Sequence, residues 1–183
     1  MARVRLGLVP ETDWRFRFKG RNGTHGSIPP FKLRASVDVT ANLHSKSAVM
    51  RQAALRVKCE IDTGSYLTTL PYYLWRMFDA VEWLEHEPGT PRSVKIAGGQ
   101  FPYRLGRLSF RILNWGEAPD RPRGDVMDVT AVAMFLERLA DDGETRSDSL
   151  PMLLGLQGGV FDKRTLRNSG GQAWSLEDPP PSA

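Results

Sequence analysis

Apolar and polar residues alternate one for one along much of this chain, and a period of two commits those stretches to β-strands. Phe31, Leu33, Ala35, Val37 and Val39 alternate with Lys32, Arg34, Ser36, Asp38 and Thr40. Trp14, Phe16 and Phe18 alternate with Arg15, Arg17 and Lys19, and Leu55, Val57, Cys59 and Ile61 repeat the pattern. Successive side chains of a strand point to opposite faces, so each run predicts a half-buried strand. Gly20 to Gly26 is a turn-rich connection between two of them. Val126 to Leu136 predicts a long apolar strand, and Thr165–Arg167 and Ala173–Leu176 predict two short ones. Only Tyr72 to Glu87 changes period, with Leu74, Trp75, Phe78, Val81 and Leu84 at spacings of three and four. That spacing after Pro71 predicts one amphipathic helix, or a short helix plus a turn. The whole reads as a mainly β domain with one or two short helices.

The third of these strands ends in Asp62-Thr63-Gly64-Ser65, followed by Tyr66 to Pro71. A strand thus delivers a carboxylate into a tight glycine turn, with hydroxyls close by in the chain. That setting suits a carboxylate held in place for acid–base work. The motif occurs once. Downstream, Val94 and Ile96 lead into Ala97-Gly98-Gly99-Gln100, and Phe101 and Tyr103 lead out, which predicts a hairpin. Further on, Leu153-Leu154-Gly155 precedes Leu156-Gln157-Gly158-Gly159, where a short helical segment is expected.

At 183 residues, with 40% hydrophobic and 25% charged residues, the chain is long enough for one domain with a real core. Its net charge of +4 hides an asymmetry, with +9 in residues 1–58 and −5 in residues 59–183. The basic half reads as the solvent faces of strands in preference to a nucleic-acid surface, because its charges alternate with apolar residues. The single cysteine, Cys59, lies in the apolar phase of its strand and reads as a core residue. His25, His44 and His86 have no ligand spacing, so no metal is expected. No leader-like apolar run opens the chain and no run approaches membrane-spanning length, so a soluble cytoplasmic protein without a membrane partner is expected.

The order of these parts resembles the retropepsin-like aspartic peptidases, the single-lobe relatives of pepsin. The resemblance covers roughly residues 50–176. It implies a retropepsin-like closed β-barrel, the acid-protease half, over residues 46–176. Residues 1–45 would be a β-strand extension packed on it, and residues 177–183 a disordered tail. In that light Asp62 is the catalytic aspartate, Thr63 links two active-site turns, Gly64 lets the backbone turn, and Ser65 hydrogen-bonds the carboxylate. Gly155 lies beneath the active-site turn. Gly98 and Gly99 form the tip of a substrate-binding flap, with Phe101 or Tyr103 as its aromatic residue.

Such enzymes need two carboxylates facing one water, one as base and one as proton donor. A single motif therefore implies a homodimer that places two copies of Asp62 at a two-fold axis. As in the general aspartic-protease case, two carboxylates about 3 Å apart at an effective dielectric of about 20 repel by about 5 kcal/mol. The pair then works singly protonated, with an acidic to mildly acidic optimum. The implied substrate is an extended polypeptide, and no cofactor is needed. Two alternatives are an inactive peptide-binding or dimerisation module of the same fold and a basic, β-rich nucleic-acid-binding domain.

Overall fold

The structure, a computed structural model, describes residues 2–12, 15–28, 30–43, 57–62, 64–96, 99–117, 122–138, 150–170 and 173–179. Strand β1 is Arg3–Pro10, β2 Phe16–Lys19, β3 His25–Ile28 and β4 Phe31–Asp38, after which Thr40–Asn42 makes a 3-10 turn. Next come β5 Val57–Ile61, β6 Thr68–Leu70, helix α1 Tyr72–Trp75, β7 Glu82–Leu84 and β8 Ser93–Ile96. Strands β9 Gly99–Leu113, β10 Val126–Leu136, β11 Met152–Leu154, β12 Thr165–Asn168 and β13 Trp174–Glu177 complete the fold.

The protein is mainly β, but the sheet is not the expected closed barrel. Eleven strands form one mixed sheet in the order β12-β13-β1-β4-β5-β11-β6-β10-β9-β7, with β8 pairing β9. Among the described residues the order has two free ends, β12 and β7. Strands from the two ends of the chain explain the difference. β1 pairs with both β4 and β13, which carries the sheet outward beyond β4. β4 also meets β9 over Ser36–Asp38, opposite Leu113, Ile112 and Arg111, so the sheet folds over on its core without losing its edges. Residues 31–38 thus form an interior strand, between β1 and β5.

The core sits inside that fold. Val4, Leu6, Ala35, Val37, Cys59, Ile112, Val129, Met152, Leu154 and Leu176 are all buried. β10 shows why its sequence changes character along its length. Near Val126 it alternates buried and exposed residues, whereas Ala133 to Leu136 are all buried between β6 and β9. A strand covered on both faces needs apolar residues at every position.

The amphipathic segment forms far less helix than its spacing suggests. α1 stops at Trp75, and Glu82–Leu84 pairs with Arg107–Leu105 as β7. A helix this short is marginal by itself. Its apolar residues pack on the core instead, and the Trp75 and Trp83 rings lie 6.0 and 5.1 Å from Phe135 in an aromatic cluster. Trp75 Nε1 donates to the Leu136 carbonyl at 2.6 Å. Residues 156–164, where a helical segment was expected, form turns and bends. Gly158 and Gly159 have φ of +83° and +110°, a conformation that breaks a right-handed helix. Arg164 braces the loop, donating to the Gly159 and Val160 carbonyls at 2.8 and 3.1 Å.

The chain end is held further than expected. Glu177 belongs to β13, and Asp178 pairs with Arg164 at 3.0 Å and donates its N–H to the Ala2 carbonyl. Residues 180–183 of the expected tail lie outside the described residues.

Cys59 is fully buried, and burial pushes its thiol well above the ordinary range. Native protein is therefore expected to take up no maleimide label over hours, and unfolded protein one label per chain. Rapid labelling of folded protein would show that the β4–β5–β11 layer opens readily.

Candidate functional site

β11 lies between β5 and β6, parallel to β5 and antiparallel to β6. The connection from Ile61 to Thr68 must therefore arch over the end of β11, and Asp62 stands at the start of that arch. Its backbone N–H donates to the Leu154 carbonyl at 3.2 Å, and its carbonyl accepts from the Ser65 N–H at 3.2 Å. The Asp62 Oδ1 accepts the Gly64 N–H at 2.9 Å. The carboxylate is thereby oriented by the backbone of its own turn.

The second loop is stitched to the first. Leu156 N–H donates to the Ser65 carbonyl at 2.9 Å, and Gln157 N–H to the Tyr66 carbonyl at 2.7 Å. Gly155 sits where the two loops touch. A Cβ there would lie within 2.8 Å of the Thr68 nitrogen and collide with the Leu67 carbonyl group. Backbone cannot yield as a flexible side chain can. Gly155→Ala is expected to lower stability by about 1–3 kcal/mol, read from a thermal or urea melt. An unchanged melt would mean that the loops are not pressed together.

Ser65 has a different role from the one the sequence suggested. Its hydroxyl donates to the Leu67 carbonyl at 2.8 Å, so it braces the arch and does not bond the carboxylate. A Ser hydroxyl finds the nearest local backbone acceptor readily, which is common in turns. Thr63 and Gly98 lie outside the described residues. Gly99 is the first residue of β9 and faces Ile96 across the ladder, so it is a strand residue. Phe101 turns inward and is 1% exposed, with its ring against the place a Gly99 Cβ would occupy.

A groove of about 470 Å³ opens in front of Asp62. Gly64, Ser65, Tyr66 and Leu67 form one side of it. Val94, Lys95 and Ile96 of β8 form another, with Tyr103 and Met134 completing the wall. Among the described residues, Asp62 is the only acid lining it, and Lys95 the only Lys or Arg. Of the two aromatic residues considered from sequence, Tyr103 lines the groove and Phe101 does not. The Tyr103 hydroxyl donates to the Pro91 carbonyl, which ties β9 to the chain entering β8. β8 pairs only with β9 among the described residues, which leaves its other edge unpaired.

Sequence reasoning missed Tyr66, Lys95 and Met134 as lining residues. Tyr66 was findable, because it follows the motif directly. Met134 reaches the groove only because β10 runs parallel to β6, and no local signal marks it. Beside the turn, Tyr66 is 75% exposed and Leu156 39%, two large apolar side chains left to water.

Among the described residues, no group of three His, Cys, Asp or Glu is placed to hold a metal. No helix among them is long and apolar enough to cross a membrane. No family model, curated protein or solved structure matches the chain.

Proposed function

We propose that the protein is an aspartic endopeptidase whose active site forms between two copies of the chain. The observation that carries the reading is the built turn around Asp62. A carboxylate aligned by the Gly64 N–H stands at the floor of a groove, and the loop of Gly155 packs against the backbone beneath it. Three features add support. Among the described residues the groove holds one acid where the chemistry needs two, and a second copy would supply the other. Tyr66 and Leu156 provide an exposed apolar rim beside the turn for that copy to cover. The free edge of β8 beside the groove can hydrogen-bond an extended polypeptide as an added strand.

In the dimer, the ionised Asp62 takes a proton from a water while that water's oxygen attacks the scissile carbonyl carbon. The protonated Asp62 of the other copy gives its proton to the carbonyl oxygen. The Asp62 that took water's proton then gives it to the amine nitrogen while the other Asp62 takes one from a diol hydroxyl, so the C–N bond breaks, the carboxylic acid forms and the pair is again singly protonated. The reaction needs two carboxylates and a water, and nothing else. The test incubates purified protein with a peptide library between acidic and neutral pH while sedimentation follows its size. Cleavage by a dimer supports the reading. A dimer that binds peptides without cutting them would make it an idle module, and a strict monomer that cuts nothing would refute it.

A further inference from the structure

β2 and β3 form a two-stranded ribbon that, among the described residues, hydrogen-bonds to no other strand. Its base is drawn together by the Glu11 N–H, which donates to the Pro30 carbonyl at 2.8 Å. Its tip is set by Asn22, whose Oδ1 accepts from the Thr24 N–H and hydroxyl at 3.2 and 2.6 Å. The ribbon is thus a shaped element outside the ladder of the main sheet.

Its charge is one-sided. Arg15, Arg17, Lys19, Arg21 and His25 are exposed, and residues 15–28 contain no Asp or Glu. Neighbouring strands treat their cations differently. Arg3 pairs with Glu177, Lys32 with Glu11 and Glu60, and Arg34 with Glu60. None of the four ribbon Arg and Lys residues has an ion pair among the described residues. Packing such like charges together costs the folded state. Folding alone does not account for them, whereas an anionic partner does.

The spacing indicates the kind of anion. Arg17 and Lys19 share one face of β2, with Arg15 continuing the row, about 6.8 Å between neighbours. A row of fixed cations suits a linear polyanion. A two-stranded ribbon is also of a size that the major groove of a duplex, about 12 Å wide, admits. We propose that the β2–β3 ribbon binds the sugar–phosphate backbone of duplex nucleic acid. The contact is electrostatic, does not read sequence, and is separate from the Asp62 groove.

The test measures binding of the full chain to a short fluorescent DNA duplex of arbitrary sequence by anisotropy, across a salt series. Four phosphate contacts give a log–log slope of about −3.6, so a fourfold rise in salt weakens binding about a hundredfold. Neutralising the row with Arg15→Gln, Arg17→Gln and Lys19→Gln is expected to reduce the slope to about −1 and affinity at least tenfold. Arg123→Gln with Arg138→Gln, exposed on other segments, should leave binding unchanged. Arg21→Gln alone should lower the slope by about 0.9, which keeps the test sharp should the triple variant misfold. Three outcomes would overturn the proposal: no binding of wild type at low salt, equal loss from the distant pair, or capture by phosphatidylserine vesicles without duplex binding.

Discussion

Asp62→Asn is expected to abolish peptide hydrolysis, with a loss on the order of 10²–10⁴-fold or more, while the protein still folds and dimerises. The amide keeps an oxygen that can accept the Gly64 N–H at the Asp62 Oδ1 position, so the turn survives. It can neither accept a proton from water nor carry one to the substrate. Mixing gives a second readout. Wild type re-equilibrated with an equal amount of the variant should retain roughly half its activity, because hybrid dimers hold one carboxylate. Hydrolysis that survives in the variant would remove Asp62 from the chemistry. Undiminished activity after mixing would break the link to a shared site.

Arg111→Met is expected to cost about 3 kcal/mol of stability. Asp38 is 1% exposed and accepts from the Arg111 guanidinium, through Nε at 2.9 Å and through Nη2. Its other oxygen accepts the Thr40 N–H at 2.9 Å. Removing the arginine leaves a buried carboxylate with one hydrogen bond, and such losses run about 3–5 kcal/mol. Arg111 is 43% exposed, which lets water reach the gap and places the cost at the low end. Asp38→Asn should cost less, about 1–2 kcal/mol, because the freed guanidinium returns to water. Urea midpoints at constant m-value would show the asymmetry. Equal losses would argue against a buried carboxylate as the cause. The pair has structural weight because Asp38 and Arg111 face each other where β4 meets β9 and the sheet folds over.

Much of the strand content was legible because alternation is a local signal. The Phe31, Val57 and Val126 runs all formed strands, and the paired residues of β8 and β9 fall where the glycine-rich hairpin was read. β1 was not foreseen. Its Leu6-Gly7-Leu8-Val9-Pro10 is a weak pattern, yet β4 and β13 flank it on both sides. Of the two helix readings, the short helix plus a turn is the one that forms, and the long helix gives way for a related reason. The spacing of Leu74, Trp75, Phe78 and Val81 describes which residues face the core, and a turn followed by a strand packs them on it equally well.

By itself, the sequence determined where the strongly alternating strands run, where a carboxylate meets a glycine turn, and which of those strands' residues belong to the core. These depend on neighbours within a few positions. Only the tertiary structure decided that Gly155 lies against Leu67, that the Ser65 hydroxyl bonds the Leu67 carbonyl, and that Phe101 faces inward while Tyr103 lines the groove. It also decided that the sheet keeps open edges. Each of those outcomes depends on which distant strands pair and in what register. Backbone hydrogen bonds are nearly the same for every pairing, so no single stretch of sequence records the choice.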